Sequence, residues 1–323
     1  MLRRSALALL VVASAAPALG QSYPSKPITM IVPFAAGGPT DITARIVGER
    51  MGKELGQQIV IDNVAGAAGT IAMGKLAHAA PDGYTIGIGH LGTNVVNGII
   101  YKNLNYDLLG DLVPVARLPS NPLLVVTSNQ VPAKDMKELV AYLKANADKV
   151  SGGTAGMGSG SHIGVLAFHA GTGTSYQLVP YRGTGPAVQD LIANQIQIMI
   201  DQSSNSLPHV RAGKIRAYAV ASKQRSAAAP DIPTTAEAGF PGIEVTIWQG
   251  LWAPKGTPAD IVAKLNAAAV AALKDPEVRR KLEDLGQDMP TPEQMQPAAF
   301  DAFQRAEFAK WKPIIEKANV KVE

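Results

Sequence analysis

One stretch near the N-terminus constrains the fold more than any other, because it joins a strand, a loop of small residues and a helix. Residues Ile28–Val32 form an apolar, largely β-branched run that ends at Pro33, and an amphipathic helix is predicted to begin at Pro39. Pro39 suits the first helical position, and Asp41 adds negative charge to the first turn. Between strand and helix, alanines and the Gly37–Gly38 pair leave backbone N–H groups open to approach. A helix N-terminus with open amides favours an anion.

Two interpretations of this loop stay open from the residues alone. It contains no lysine and no catalytic side chain, so it could bind the carboxylate of a small solute through its backbone amides. The same residues also suit a tight turn between a strand and a helix in any parallel α/β domain.

Strand-like and helix-like runs alternate along the chain after this stretch. Residues 58–63 and 84–89 are predicted strands, with a small-residue helix and a Pro-Asp-Gly turn between them. This order predicts parallel sheets with helices on both faces. Ligands bind beyond the carboxyl ends of such strands. The loops after Val32, Asn63 and Gly89 are therefore expected to face one crevice.

A second glycine-rich segment, Ser151–His162, lies about 120 residues beyond the first and is rich in hydroxyl groups. It leads into a predicted helix, and two such segments suit two domains that each contribute a helix N-terminus to one site. Of the two tryptophans in the last predicted strand, Trp248 is expected to face the cleft. The C-terminal helices are expected to pack back onto the first domain. The further predicted strands are 122–127, 176–181, 197–201, 214–221 and 245–254, and the C-terminal helices are 258–274 and 294–318.

The first twenty residues have the features of a secretory signal peptide. A basic start, Arg3 and Arg4, precedes a mostly apolar stretch, and small residues at Ala18 and Gly20 favour cleavage before Gln21. The apolar stretch is too short to span a bilayer comfortably, which takes roughly 20 apolar residues. No second long apolar segment follows, so the mature chain is expected to be soluble, with no direct insertion in the membrane.

Charge and cysteine usage argue against several classes of function. The net charge of +4 falls to +2 without the two signal-peptide arginines, which is too little to indicate nucleic acid or an anionic membrane surface. The chain has no cysteine, and therefore no disulfide, no thiolate nucleophile and no cysteine-based metal site. His162 and His169 are too far apart for a one-turn metal pair, and there is no HExxH motif, so no metal and no cofactor are expected.

A glycine pattern after the third predicted strand resembles a dinucleotide fingerprint. Gly87–Gly92 matches GxGxxG, but no acidic residue ends a following strand at the required distance. Nucleotide binding is therefore disfavoured, and a tight turn at the crevice is the simpler interpretation. In that turn, His90 and Thr93 are candidate lining residues.

The hydroxyl groups of the second glycine-rich segment raise the possibility of a hydrolase. Ser159 or Ser161, acting with His162, would be the nucleophile of a secreted serine hydrolase. Neither serine has the G-x-S-x-G surroundings of a nucleophile elbow, so the sequence disfavours this alternative.

A set of spaced segments gives the chain a resemblance to a known family. Together they resemble the Bug-type periplasmic solute-binding proteins, the substrate-binding subunits of tripartite tricarboxylate transporters. The likeness covers essentially the whole mature chain. The segments are Tyr23–Ile28, Pro33–Gly38, Ala80–Thr85, Val179–Gly183, Leu207–Lys214 and Pro233–Gly239.

The resemblance implies a two-lobed type II periplasmic-binding-protein fold of the α/β class. Each lobe would be a mostly parallel sheet flanked by helices, with the ligand in the interlobe cleft. Lobe 1 is expected to comprise residues 21–121 and 225–323, and lobe 2 residues 122–224. The chain would cross between the lobes near 118–122 and 221–229.

In that family the ligand carboxylate is held mainly by backbone amides and hydroxyl groups from loops of both lobes. The matching positions in lobe 1 are Phe34, Ala35, Ala36, Gly37, Gly38 and Thr40. Those in lobe 2 are Thr154, Ala155, Gly156, Gly158, Ser159 and His162. The distal end is expected to be closed by Arg182, Thr184 and Asp201. Arg182 either pairs with a second carboxylate of the solute or braces lobe 2 through Asp190 or Asp201.

Two departures from the pattern of relatives bear on which solute fits. The loop at Asn63–Gly69 lacks the basic residue that many relatives carry, and Ile200 stands before Asp201 where relatives often have an aromatic residue. Aliphatic diacids, aromatic acids, acidic amino acids and nicotinate-like rings all stay open as ligands.

The function implied is that of a non-enzymatic, monomeric periplasmic protein. It would capture a small mono- or dicarboxylate by hinge closure and deliver it to the integral membrane permease subunits of a tripartite tricarboxylate transporter. The alternatives are a carboxylate sensor that reports to a membrane signalling system and, less favoured, the serine hydrolase.

Overall fold

The computed structural model describes residues 23–317 of the chain. The predicted signal peptide, residues 1–20, and its predicted cleavage point lie outside the described residues. The strands are β1 (Ile28–Val32), β2 (Ile59–Asn63), β3 (Thr85–His90), β4 (Leu112–Ser128), β5 (Ser151–Thr154), β6 (Gln177–Pro180), β7 (Ile198–Gln202), β8 (Ile215–Val220) and β9 (Thr246–Pro254).

The helices lie between these strands and after the last of them. A 3-10 turn, Ala67–Gly69, precedes the second helix, and a π-helical turn, Gly92–Val96, follows β3. The α-helices are α1 (Pro39–Leu55), α2 (Thr70–Ala77), α3 (Asn97–Ile100), α4 (Met136–Ala145), α5 (Gly160–Thr172), α6 (Thr184–Ile192), α7 (Ser203–Arg211), α8 (Ala259–Lys274), α9 (Pro276–Asp284) and α10 (Pro297–Lys317).

The strands form two groups joined by β4 and β9, in the order β2-β1-β3-β9-β4-β7-β5-β6, with β8 also paired to β4. In the first lobe β1 pairs parallel with β2 and β3, and in the second β5 pairs parallel with β6 and β7. The two long connecting strands add antiparallel pairs to both groups. This is the two-lobed α/β architecture that the sequence predicts.

Strand β4 runs through both lobes and is much longer than the predicted strand at 122–127. Its first half pairs with β9 and its second half with β7 and β8, and its register with β9 shifts between Leu118 and Asn121. Pro114, Pro119 and Pro122 interrupt it, and prolines remove ladder donors and argue against a strand. The residues of the first half of β4 do not predict a strand. This half is a strand because it pairs with β9, which is distant in sequence.

The predicted lobe boundary at 224/225 stays a prediction, but hydrogen bonds show what the neighbouring segment contacts. After β8, the N–H of Thr235 donates to the carbonyl of Val220, and the N–H of Val245 donates to the carbonyl of Ala221. The segment between β8 and β9 is therefore tied to the end of β8, beside the second-lobe part of β4.

The second glycine-rich segment begins as strand β5, whereas the sequence indicated a loop. A Cβ on Gly152 would lie 2.3 Å from the ring of Tyr176, and one on Gly153 would lie 2.5 Å from Ile196. Glycine is used in this strand because neighbouring side chains occupy the space of a side chain there.

Three buried clusters surround the sheet. One packs α1 and α8 against the first lobe, another packs α6 and α7 against the second, and the largest includes α10, α4 and α5. Among residues 23–317 there is no helix long and apolar enough to cross a bilayer. No group of three or more His, Asp or Glu side chains in that range is arranged to hold a metal ion.

Candidate ligand-binding cleft

The candidate site lies where the loops after β1, β2 and β3 meet the loops after β5, β6 and β7. Each loop follows the carboxyl end of a parallel strand, which is where sheets of this kind bind ligands. The loops after β1, β5 and β6 lead into the N-termini of α1, α5 and α6. Open N–H groups and the helix dipole make such termini favourable for an anion.

The buried carboxylate of Asp41 fixes the loop between β1 and α1. Its Oδ2 accepts hydrogen bonds from the backbone N–H of Gly37 and from Arg45 Nε, both at 2.9 Å. Its Oδ1 accepts from Asn63 Nδ2 at 3.0 Å, and the same amide group donates to the carbonyl of Phe34. Burial acts to raise the pKa of Asp41, but these hydrogen bonds outweigh it and hold the pKa below its ordinary value.

Those contacts decide which amides of the first loop are open to a ligand. The N–H of Gly37 is used by Asp41, and the N–H of Ala35 donates to the carbonyl of Arg182 at 3.0 Å. Gly37 has a φ of 81°, a conformation that favours glycine. In residues 23–317 no acceptor is found for the N–H groups of Phe34, Ala36, Gly38 and Thr40.

His90 at the end of β3 is buried and faces the first loop. Its Nδ1 accepts hydrogen bonds from the N–H groups of Gly92 at 2.9 Å and Thr93 at 3.3 Å. Burial lowers the pKa of His90 to about 4, so the ring is neutral near pH 7 and carries its proton on Nε2. The ring of Phe34 stacks on it, with ring centres 5.2 Å apart. The Thr93 hydroxyl is committed locally, since it donates to Asn94 Oδ1 at 2.6 Å.

In the second lobe, the loop between β5 and α5 is held by its own polar groups. Ser159 is the N-cap of α5, with its Oγ accepting from the N–H of His162 at 3.3 Å. Ser161 Oγ accepts from the N–H of Ala155 at 3.0 Å, and His162 Nδ1 accepts from the N–H of Gly158 at 3.3 Å. The N–H of Gly156 donates to Thr154 Oγ1. These amides therefore hold the loop in place. The N–H groups in the first turn of α5 come next in the chain and have no acceptor within the helix.

These hydrogen bonds also bear on the hydrolase alternative. The two serine oxygens lie 3.1 Å apart, and each accepts from a backbone N–H group. Among the described residues no hydrogen bond joins the His162 ring to either serine. Burial lowers the pKa of His162 to about 4. A nucleophile–base pair would need a serine hydroxyl that donates to the imidazole.

Asp201, at the end of β7, is fully buried and points one oxygen at partners in its own lobe. Its Oδ2 accepts hydrogen bonds from Asn205 Nδ2 and Ser206 Oγ, both at 2.6 Å. Asn205 also donates to the carbonyl of Thr184, which ties the loops before α6 and α7 together. Asp201 Oδ1 has no partner among the described residues. Burial raises the pKa of Asp201 to about 6, against the effect of its hydrogen bonds.

Arg182 is exposed, and its backbone carbonyl accepts a hydrogen bond from Ala35 of the first lobe. In residues 23–317 it makes no ion pair, so neither predicted bracing partner, Asp190 or Asp201, pairs with it. Tyr181 donates to Asp190 Oδ2 instead, at 2.7 Å. The guanidinium therefore has no ion-pair partner among the described residues.

The two lobes touch in this structure, which is a closed arrangement. Besides the bond between Ala35 and Arg182, Tyr101 donates to the carbonyl of Met157 at 3.2 Å across the cleft. The first turn of α6 also approaches the first loop closely: a Cβ on Gly185 would lie 2.9 Å from Gly38 N. Groups of both lobes thus face each other across the cleft.

The predicted site residues all lie on these loops or on the adjoining strand and helix ends. Sequence reasoning missed the residues that hold the loops in place, among them Asp41, Asn63 and Asn205. Asn63 ends the predicted strand 58–63, and Asn205 lies in a polar run after the predicted strand 197–201. Their positions at strand ends could have indicated that they lie near the site. Trp248, expected at the cleft, lies instead against α10, where its indole donates to Glu307.

A two-lobed sheet with a cleft lined by helix N-termini defines a solute-binding protein of the periplasmic type. The chain belongs to the tripartite tricarboxylate transporter receptor family, and the model of that family matches residues 43–320. This confirms the family that the spaced segments indicated.

Solved structures of similar proteins agree with this assignment. MatC from Rhodopseudomonas palustris, solved with bound malate, is 42% identical, with a TM-score of 0.87 over 91% of this chain and 100% of that one. The periplasmic binding protein BugD is 39% identical, with a TM-score of 0.90 over 93% of this chain and 100% of that one. Rpa4515 from R. palustris, solved with adipate, is 33% identical, with a TM-score of 0.87 over 92% and 98%.

The buried histidines predict a loss of stability in mild acid. The pKa of His162 is about 4 in the folded chain against an ordinary 6.5, so the unfolded chain binds more protons between these values. Unfolding free energy should therefore fall as the pH drops from 6.5 towards 4, by up to about 1.4 kcal/mol per pH unit for each such group. His90 acts in the same direction, whereas Asp201, with its raised pKa, acts in the opposite one.

Urea unfolding at pH 6.5 and pH 5 measures this effect. His162→Asn keeps an acceptor near the N–H of Gly158 but cannot titrate, so its stability should fall less between the two pH values. An equal fall in the variant would contradict the assignment of a neutral, buried His162.

Proposed function

We propose that this protein captures a small carboxylate in the interlobe cleft by hinge closure and delivers it to the membrane permease of a tripartite tricarboxylate transporter. The observation that carries the proposal is the convergence of three helix N-termini, from both lobes, on one cleft. A ligand that contacts both lobes makes those contacts only in the closed state, so binding shifts the population towards closure.

The ligands of similar proteins support a carboxylate. Malate in MatC and adipate in Rpa4515 are both dicarboxylates. In this chain one ligand carboxylate would be held by the open amides of Ala36, Gly38 and Thr40 and by the first turn of α5. The free Oδ1 of Asp201 would accept a hydrogen bond from a hydroxyl or ammonium group of the ligand.

A binding role also explains the serines and histidines of the cleft without giving any of them a catalytic function. Ser159 and Ser161 cap and tie a loop, and His162 accepts from the backbone. We infer that the protein is not an enzyme, that it is exported to the periplasm by its first twenty residues, and that it acts as a monomer.

Thermal unfolding of the chain from residue 21, against a panel of carboxylates, tests the proposed function. Co-purified ligand is first removed by unfolding and refolding. A ligand present at 100 times its dissociation constant adds about 2.7 kcal/mol of stability. Stabilisation by one chemical class of acid is expected. A stripped protein that no small carboxylate stabilises would refute the proposal.

The exposed Arg182 gives a prediction about the second carboxylate. Arg182→Ala should weaken the binding of dicarboxylates more than that of monocarboxylates, because Arg182 has no ion-pair partner of its own in residues 23–317. Calorimetric titration with adipate and with a monocarboxylate of similar length measures the difference. Equal losses for both ligands would remove Arg182 from the ligand-binding set.

A further inference from the structure

A second cavity, of about 750 Å³, lies between the lobes beside β4 and β9. One wall is the middle of α10, residues 303–311, and the other is the segment 221–227 that follows β8. None of the residues proposed above to bind ligand in the cleft lines it. Its volume is in the range of small-molecule sites, roughly 300–1,000 Å³.

Arg117 of β4 is a partly buried cation in the wall of this cavity. Its Nε is buried without a hydrogen-bond partner, and no carboxylate in residues 23–317 lies within ion-pair distance of its guanidinium. The guanidinium lies over the ring of Phe303, 3.9 Å from the ring centre. Burial lowers the pKa of Arg117 below its ordinary value, and Glu307 only partly offsets this. A desolvated guanidinium of this kind gains more from an added carboxylate than an exposed one does.

The nearby carboxylate of Glu307 is committed to other partners. Its Oε2 accepts hydrogen bonds from Trp248 Nε1 and from Trp311 Nε1, both at 3.1 Å. Its Oε1 pairs with Lys310 at 3.1 Å. Glu307 thus fixes two indoles in the cavity wall, and Lys310 balances its charge.

Aromatic rings next to this guanidinium define the chemistry of a ligand. Trp248, Trp311 and Phe303 line the cavity together with Arg117. Arginine binds carboxylates through two parallel hydrogen bonds, and aromatic side chains favour offset or edge contacts with a ring. Lys223 also lines the cavity and adds a positive charge that has no ion pair in the described range, and Glu244 and Asp288 line it as well.

We propose that this hinge cavity is a second binding site, separate from the cleft, for a small aromatic monocarboxylate. The carboxylate pairs with Arg117 and the ring packs among Phe303, Trp248 and Trp311. Because the walls come from both lobes, an occupant stabilises the lobe arrangement seen here. By linkage, it then raises the affinity of the cleft for its own ligand, and the cleft ligand raises the affinity of the cavity.

Benzoate is the probe, and the indole N–H signals of the ¹⁵N-labelled chain from residue 21 are the readout. The chain has three tryptophans, and the third, Trp252, is buried outside the cavity. Benzoate should shift the signals of Trp248 and Trp311 and leave that of Trp252 in place. Arg117→Gln should raise the dissociation constant for benzoate at least tenfold. Arg305→Gln, an exposed arginine of α10 that pairs with Asp301, should leave it unchanged.

Further measurements separate this site from the cleft. By the same linkage, adipate bound in the cleft should lower the dissociation constant for benzoate measured at Trp248 and Trp311. If adipate instead displaces benzoate and reverses the shifts, benzoate acts through the cleft and the second site is wrong. Absent shifts, or shifts unchanged in Arg117→Gln, also overturn it. If Arg117→Gln does not fold, Arg117→Lys decides: a weaker benzoate affinity supports the bidentate contact and an unchanged one refutes it.

Discussion

Replacing Gly185 with alanine is expected to weaken carboxylate binding about 100-fold, equivalent to about 2.8 kcal/mol, without unfolding the protein. The added Cβ would lie 2.9 Å from Gly38 N and 3.0 Å from the carbonyl oxygen of Ala36, both backbone atoms of the opposite lobe. Backbone cannot give way as a flexible side chain does, so the lobes would stay apart. The closed fraction falls, and the apparent dissociation constant rises by the same factor.

The same contact supplies a matched control. Gly38 faces Gly185 across the cleft and has a φ of −86°, which alanine adopts without strain. A Cβ there would lie 3.5 Å from its nearest neighbour, Gly185 N, an ordinary contact distance. Calorimetry should find binding by Gly38→Ala close to that of the unsubstituted protein. If the two variants bind with equal affinity, whether both are weakened or both are unchanged, the result would contradict closure through this contact.

Phe300→Ala is expected to lower the free energy of unfolding by about 3–5 kcal/mol. Its ring is fully buried and packs against Trp248 and Trp252 of β9, with ring centres 5.8 Å and 5.0 Å away. Gly250 leaves the space that the ring fills, since a Cβ there would lie 2.1 Å from it. Removing the ring leaves a cavity between α10 and one of the two strands that join the lobes.

Urea unfolding measures this loss, and Phe308→Ala is the comparison. Phe308 lies on the same helix but is only partly buried, against Gly98 and the same cluster. Its truncation should cost clearly less, because stabilisation scales with the apolar area removed from water. Equal losses would show that α10 is not anchored through Phe300.

Local signals in the sequence predicted much of the fold. The first helix was expected to begin at Pro39, and it does; it ends at Leu55, where Gly56 closes it in a left-handed conformation. The first half of β4 could not be predicted, since its prolines oppose a strand and only pairing with β9 stabilises it. The glycines of β5 likewise indicated a loop, because the rings and methyl groups that require them come from distant strands.

The loops of the site were predictable, but the contacts inside them were not. The sequence indicated that amides of Gly37 and Gly158 would face a ligand, and in the structure each is used by a side chain of its own lobe. Asp41 was expected to act through the helix dipole, and it is in fact the acceptor that holds the first loop. Such partners depend on φ/ψ and on neighbouring strands, which one sequence does not specify.

Calorimetric titration of the ligand-stripped protein with malate and adipate, and with their dimethyl esters, tests the central claim most directly. If the cleft is built for an anion at helix N-termini, at least one free acid binds with a stoichiometry of one, and its uncharged ester does not bind measurably. Equal binding of acid and ester, or binding of neither by a folded, stripped protein, would contradict a carboxylate-binding cleft.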